Sequence, residues 1–320
     1  MTLTTAPAPP AAEARSAGLA YTAAVEHVTK RYGDNTVVDD LSFTVPPGRV
    51  TGFLGPNGSG KSTTMKIMLD LAAANQGVAT IGGHRYRNLH DPARTVGAMI
   101  ESDAFHPGRS GRNHLRILAD ATGIAHSRVD EMLEQVGLTD AADRKAGAYS
   151  LGMRQRLGLA AALMGEPPVL ILDEPGNGLD PQGIRTLRDL LRSHAARGGT
   201  VFVSSHLLSE VEHLADDVIV INEGRLVAQG SLAELQQSAA LVRSTDPTRL
   251  ADALQQAGAT TETHGPDGLI VRGMQIDEIG DRAFTTGIAI HELTPRAGSL
   301  EELFLNWTSD ASTSEEAVTS

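Results

Sequence analysis

The chain has 320 residues, a 41% hydrophobic share, a formal net charge of −12 and no cysteine. This is enough for about two domains with packed cores, and the acidic balance argues against a general polyanion-binding surface, because nucleic-acid binding rests on clustered Lys and Arg neutralising phosphates. Disulfides and thiolate metal sites are excluded, and no apolar run reaches the roughly 18 to 20 residues that span a bilayer.

In chain order, residues 1–20 are Ala- and Pro-rich without an apolar signal-peptide core, and are expected to form a disordered leader. From Tyr21 to about Ser238, short β-branched runs alternate with amphipathic helical periodicity. That is the pattern of an α/β nucleotide-binding domain with a parallel sheet covered by helices. RVTGFLG (49–55) reads as a buried strand, a glycine-rich loop follows, and residues 61–74 read as a helix that starts inside the loop. Residues from about 110 to 165 are almost wholly helical in periodicity and predict a helical insertion. Further buried strands are expected over 168–174, 200–206 and 217–224. After Ser238 come ALVRST, a helix in DPTRLADALQQAG, a hairpin in TTETHGPDGLIVRG, a helix in IDEIGDRAFTTG, a strand in IAIHEL and a last helix in SLEELFLNWT. This βαββαβα order predicts a small α+β accessory domain over 239–308, with a polar, acidic tail over 309–320. It carries no catalytic motif, and the nucleotide-binding pattern occurs once.

The chemistry concentrates in GPNGSGKST, residues 55–63, where Gly55, Gly60, Lys61 and Ser62 satisfy G-x-x-x-x-G-K-S/T. Glycine allows the tight loop Gly55-Pro56-Asn57-Gly58-Ser59-Gly60 to turn its backbone N–H groups inward as a phosphate nest, and the following helix aims its positive end at the same place. Lys61 is expected to bridge β- and γ-phosphates, Ser62 to offer its hydroxyl to Mg²⁺, and Thr63 to touch the α-phosphate. A phosphate loop alone leaves kinases, GTPases, helicases and transporter motors open. VLILDEP (169–175) adds Asp173 and Glu174 at the carboxyl end of an apolar strand, where such sheets place ligands. Asp173 is suited to hold Mg²⁺ through water and Glu174 to orient an attacking water, although two acids before Pro175 could also cap a helix.

The stretch YSLGMRQRLGLAAALMGEPPVLILDEP (149–175) resembles the ATP-binding cassette (ABC) ATPases, with YSLGM standing where that family carries its LSGGQ signature. The resemblance implies that Ser150, Leu151, Gly152 and Met153 grip the γ-phosphate held by a second copy of the domain. Tyr149, Leu151 and Met153 depart from the consensus. Tyr32 stands where the family stacks an aromatic ring on adenine, Asp180 in NGLDP where its D-loop connects the two sites, and His206 where its switch histidine meets the γ-phosphate. Gly176 replaces the threonine more usual before the D-loop, and Glu101 stands in place of the Q-loop glutamine, an oxygen ligand near Mg²⁺.

The residues around Glu101 together with YSLGMRQRL resemble the branch serving bacitracin, lantibiotic and daunorubicin-type anthracycline exporters. The implied fold is a P-loop NTPase with a RecA-like parallel sheet, an antiparallel β subdomain and a helical insertion. The implied cofactors are ATP and Mg²⁺. The implied partners are a second cassette, either an identical chain or a sibling, and separate membrane-spanning permease subunits at the cytoplasmic face of the cell membrane, with no nucleic acid. The expected function is ATP-driven export of drugs, peptides or lipid-like compounds. The alternative is a soluble ABC ATPase acting on ribosomes or DNA, against which stand the single cassette and the lack of a long coiled coil between the motifs.

Overall fold

Two long strands open the fold, β1 (Ala23–Tyr32) and β2 (Asn35–Val45), joined by a tight turn in which Gly33 takes a left-handed backbone. A computed structural model describes residues 21–100, 105–236 and 239–296. The predicted leader, the acidic tail, the last helix and Glu101 lie outside the described residues. Two compact units divide the chain, one running to His206 and taking in Glu223–Arg225, the other made of Leu207–Asn222 and the residues from 226 onward.

In the first unit, β3 (Val50–Leu54) is buried along its whole length and leads through the glycine loop into α1 (Lys61–Met68). β4 (Gln76–Ile81) joins β1 and β2 in an antiparallel sheet of order β2-β1-β4. The short helix α2 (Pro92–Thr95) precedes β5 (Val96–Met99). The expected helical insertion is present as α3 (Gly111–Thr122), α4 (Ser127–Gln135) and α5 (Leu151–Leu163). Ser110 caps α3 by accepting the Asn113 N–H at 3.2 Å, and left-handed Gly123 closes it. Tyr149 is buried between the helices, donating its hydroxyl to Ala141 O at 2.7 Å, while Gly111 gives it room: a Cβ there would lie 2.4 Å from the phenol oxygen.

β6 (Val169–Leu172), α6 (Pro181–Ala196) and β7 (Thr200–Ser205) complete the unit's parallel layer, in which β5, β6, β7 and β3 are neighbours in that order. β3, β6 and β7 are buried at every position, as expected of parallel strands covered on both faces. Phe43, Phe53 and Phe202 stack tilted with ring centroids 4.9–5.5 Å apart, fastening β2 to β3 and β7.

Helix α1 is shorter than its predicted span of 61–74, ending at Met68 with Leu69 at the cap. Asp70 is left-handed, its carboxylate accepts the Arg87 N–H and guanidinium at 2.9 and 2.6 Å, and the N–H groups of Leu71 and Ala72 turn back onto Lys66 O. The helical pattern of LDLAAA continues in the sequence, but Leu71 is two-thirds exposed and has no core to enter.

The second unit contains α7 (Leu208–Leu214), β8 (Asp217–Asn222), β9 (Arg225–Ser231) and α8 (Leu232–Gln236), β9 starting within the Glu223–Arg225 piece. It continues with β10 (Ala239–Ser244), α9 (Pro247–Gln255), β11 (Thr260–His264), β12 (Gly268–Arg272), α10 (Ile276–Thr285) and β13 (Ile290–Arg296). The four strands among these last six elements form an antiparallel sheet of order β11-β12-β10-β13, which with the two helices is a ferredoxin-like βαββαβ arrangement. Its core joins Val242, Leu269 and Val271 of the sheet to Leu250, Leu254, Ile279 and Ala283 of the helices.

Candidate active site

The phosphate loop depends on glycine where the backbone turns left-handed. Gly58 has φ 85° and Gly60 φ 102°, and a Cβ on Gly60 would sit 2.6 Å from Val37 O. Space therefore demands glycine at 60, whereas at 58 only the backbone does, since nothing lies within 4 Å of a Cβ there. Pro56, Asn57 and Gly58 face solvent, Ser59 is buried, and Gly224 N–H donates to Ser59 O at 3.0 Å. No acidic residue occupies the first turn of α1, so the N–H groups and dipole of that turn are available to an anion. Exposed Ser62 and half-buried Thr63 stand at the same helix start. This cradle has the sign and hydrogen-bond polarity that a polyphosphate requires.

Lys61 is 6% exposed and donates from Nζ to Gly55 O at 2.6 Å and Pro56 O at 3.0 Å. Burial pushes its ammonium below the ordinary lysine value, while the carboxylates of Glu174 and Asp173 pull it back up. The cation of the loop and the acids after β6 thus share one electrostatic neighbourhood.

The acids are held from several sides. Ser204, fully buried on β7, donates its hydroxyl to Asp173 Oδ1 at 2.5 Å and accepts the Glu174 N–H at 2.9 Å. Asp173 N–H donates to Met99 O at 2.7 Å, and Gln155 Nε2 donates to Glu174 O at 3.5 Å. Glu174 is left-handed at φ 48°, a conformation rare outside glycine, and its Oε2 lies 3.2 Å from Nδ1 of His206, the residue after β7. The helix-cap alternative for these acids does not hold: α6 begins at Pro181, and its cap is Asp180, whose Oδ1 accepts the Gly183 N–H at 2.8 Å. That bond, with the Arg156 guanidinium, holds the Asp180 carboxyl below its ordinary range.

The signature segment lies against the D-loop of its own chain. Ser150 caps α5, accepting the Met153 N–H at 3.3 Å, while Leu151 is exposed and Gly152 and Met153 are half-buried. A Cβ on Gly152 would come within 2.7 Å of Gly178 O, so glycine lets the helix touch the loop. Arg156 Nη2 donates to Asp180 Oδ1 at 3.0 Å.

Tyr32 ends β1, half exposed, with Lys30 Nζ 4.6 Å from its ring centroid. The same hairpin brings Val37 against Gly60. The geometry groups Lys61, Asp173, Glu174 and His206 at one place, and Ser150, Gly152 and Asp180 at a second, bridged by Gln155. Reading the sequence missed Ser204, Gln155 and Arg156. Ser204 lies in an apolar strand, and the other two read as the polar face of a helix.

A glycine nest between a buried parallel strand and a helix, with an acidic pair following another strand of the same sheet, defines the P-loop nucleoside-triphosphatase class. The ABC transporter family matches residues 38–177, and residues 238–301 match a domain of unknown function, DUF8746. The chain is 44% identical over 220 residues to the bacitracin transport ATP-binding protein BcrA of Enterococcus faecalis, covering 68% of this chain and 71% of that protein. It is 37% identical over 292 residues to the uncharacterized ABC transporter ATP-binding protein YhcH of Bacillus subtilis (strain 168), covering 89% and 95%. Among solved structures, an ATP-binding subunit of an ABC transporter matches with a TM-score of 0.62 and 25% identity over 82% of this chain and 99% of that one. The chain belongs to the ABC transporter ATP-binding family and is an ATPase of that family. Relatives named as transporter subunits do not favour the ribosome or DNA alternative. Among the described residues no helix is long and apolar enough to cross a membrane.

Proposed function

We propose that this chain is the motor subunit of an exporter: two cassettes, identical or sibling, close over two ATP molecules, and hydrolysis reopens them, moving separate membrane-spanning subunits from the cytoplasmic face. The observation that carries this reading is the Glu174 carboxylate, held beside His206 and in the field of Lys61 by a backbone fixed through Ser204 and Gln155. Lys61 and the N–H groups of residues 58–63 bind the β- and γ-phosphates, and Tyr32 stacks on adenine. Glu174 takes a proton from a water whose oxygen bonds to the γ-phosphorus as the bond to the β,γ-bridging oxygen breaks and ADP leaves. His206 holds the Glu174 carboxylate in line and meets the γ-phosphate. Ser150, Leu151, Gly152 and Met153 close on the nucleotide of the partner cassette, and Asp180 links the two sites.

Ser62, Asp173 through water, and Glu101 would hold Mg²⁺. The exposed Ser62 hydroxyl at a helix start and the Asp173 carboxylate suit a hard cation. Held there, Mg²⁺ would supply positive charge against the phosphate oxygens. Glu101 adds repulsion toward the γ-phosphate that glutamine lacks, so nucleotide binding depends more steeply on Mg²⁺ than in a Glu101→Gln variant. Matching Mg²⁺ titrations of the two proteins count against that role.

Export of drugs, peptides or lipid-like molecules is supported by the bacitracin transport relative. We assign residues 21–238 to the cassette and 239–308 to an accessory domain that stabilises the dimer or regulates turnover. Removing residues 240–320 without effect on dimerisation or coupled turnover discards that role. The function is tested by isolating the chain from membranes with its companion: a co-purifying multi-span permease that stimulates Mg²⁺-dependent ATP hydrolysis supports it, and full activity without membrane association overturns it.

A further inference from the structure

We infer that Gln155 and Arg156, adjacent on α5, are positioning residues that fasten the catalytic turn and the D-loop to the signature helix, so that contact between Ser150 and a nucleotide on the partner cassette resets Glu174 in the same chain. The inference rests on the paired-cassette reading above.

Three observations carry it. First, the two side chains reach different parts of one loop. Gln155, 4% exposed, donates to the backbone oxygen of Glu174 at 3.5 Å, and Arg156 donates to the Asp180 carboxylate at 3.0 Å. Residues 174 and 180 are therefore both tied to a single helical turn, and that turn lies about 8 Å along the axis from the Ser150 cap.

Second, the helix start and the loop meet without slack. A Cβ on Gly178 would lie 2.4 Å from Leu151 Cδ2, as one on Gly152 would press on Gly178 O. A displacement of Ser150 has to move the D-loop.

Third, the clasp borders open space on one side. A cavity of about 300 Å³ adjoins it, lined by Gln155, Arg156, Leu159, Leu179, Asp180 and Leu187 among others. The Gln155 amide oxygen is buried with no hydrogen-bond partner among the described residues. A half-satisfied buried amide beside open space is costly to keep for stability alone.

The test uses the full chain. ATP hydrolysis is followed against ATP concentration, and binding of a fluorescent ATP analogue is measured at protein concentrations too low for pairing. Wild-type turnover is expected to be cooperative. Arg156→Ala and Gln155→Leu are expected to lower kcat by about 5- to 150-fold and to bring the Hill coefficient toward one. Analogue binding by the single chain should stay within about twofold, because the phosphate loop is untouched. Arg156→Lys should restore cooperativity, since only one N–H···O bond has to be replaced. If Arg156→Ala does not fold, Arg156→Lys and Arg156→Gln carry the test: lysine keeps cooperativity and glutamine loses it, and equal behaviour overturns the proposal. Cooperative wild-type turnover with unaffected variants overturns the clasp alone. Non-cooperative wild-type turnover overturns the paired-cassette reading and the clasp with it.

Discussion

Nδ1 of His206 lies 3.2 Å from Oε2 of Glu174. The two residues come from the ends of adjacent parallel strands, β7 and β6, so strand pairing, through the register Leu172↔Val203, brings them together. Placing two side chains just beyond neighbouring strand ends ties their separation to the sheet.

His206→Ala should keep ATP binding and lose most turnover, by about a hundredfold, because the Glu174 side chain loses the neighbour that holds it in line. Steady-state kinetics separate the effects, a fall in kcat with little change in KM being the expected pattern.

Ser204→Ala removes one hydroxyl that serves both Asp173 and the Glu174 N–H. The buried N–H and carboxylate lose a partner, and the left-handed turn at Glu174 loses its anchor. Turnover should fall by about tenfold or more, equal to about 1.4 kcal/mol, with Ser204→Thr retaining most of it. Equal kinetics for Ser204→Ala and wild type contradict the anchoring role.

The two left-handed loop glycines should respond differently. Gly58→Ala meets nothing within 4 Å and carries only the backbone penalty of about 1 kcal/mol. Gly60→Ala adds a 2.6 Å approach to Val37 O, so its cost should exceed about 2 kcal/mol and nucleotide binding should be lost. Chemical denaturation of both variants measures the difference.

The legible part of this protein was the part encoded locally. Short runs rich in apolar and β-branched residues betrayed β3, β6 and β7, and the loop at residues 55–63 fixed its own backbone through spacing. The antiparallel strands were harder to place, because β1 and β2 break their alternation at register shifts, with His27 and Asp40 left-handed. The early end of α1 was hidden because Asp70 answers to Arg87, 17 residues away. Ser204, Gln155 and Arg156 gain their roles from partners 30, 19 and 24 residues distant, which no local pattern reports.

The Asp70–Arg87 pair gives a pH test of that helix end. Arg87, chiefly through its hydrogen bond, holds the Asp70 carboxyl below the ordinary value of 3.8. A depressed folded-state value means the stabilisation is complete above the unfolded value and vanishes as pH falls through the folded one. Arg87→Ala should therefore lower Tm slightly at neutral pH, by less than about 3 °C for a pair whose arginine is exposed, and the gap should begin to narrow as pH falls below about 4. Thermal melts at pH 7 and pH 3 check it.

The role of Glu174 is tested most directly by Glu174→Gln, assayed for Mg²⁺-dependent ATP turnover and for oligomeric state with ATP. Glutamine keeps the size and the backbone contacts but cannot take a proton, so turnover should fall by at least about a hundredfold while an ATP-bound dimer accumulates. Undiminished turnover, or a chain that stays monomeric when loaded with ATP, contradicts the account.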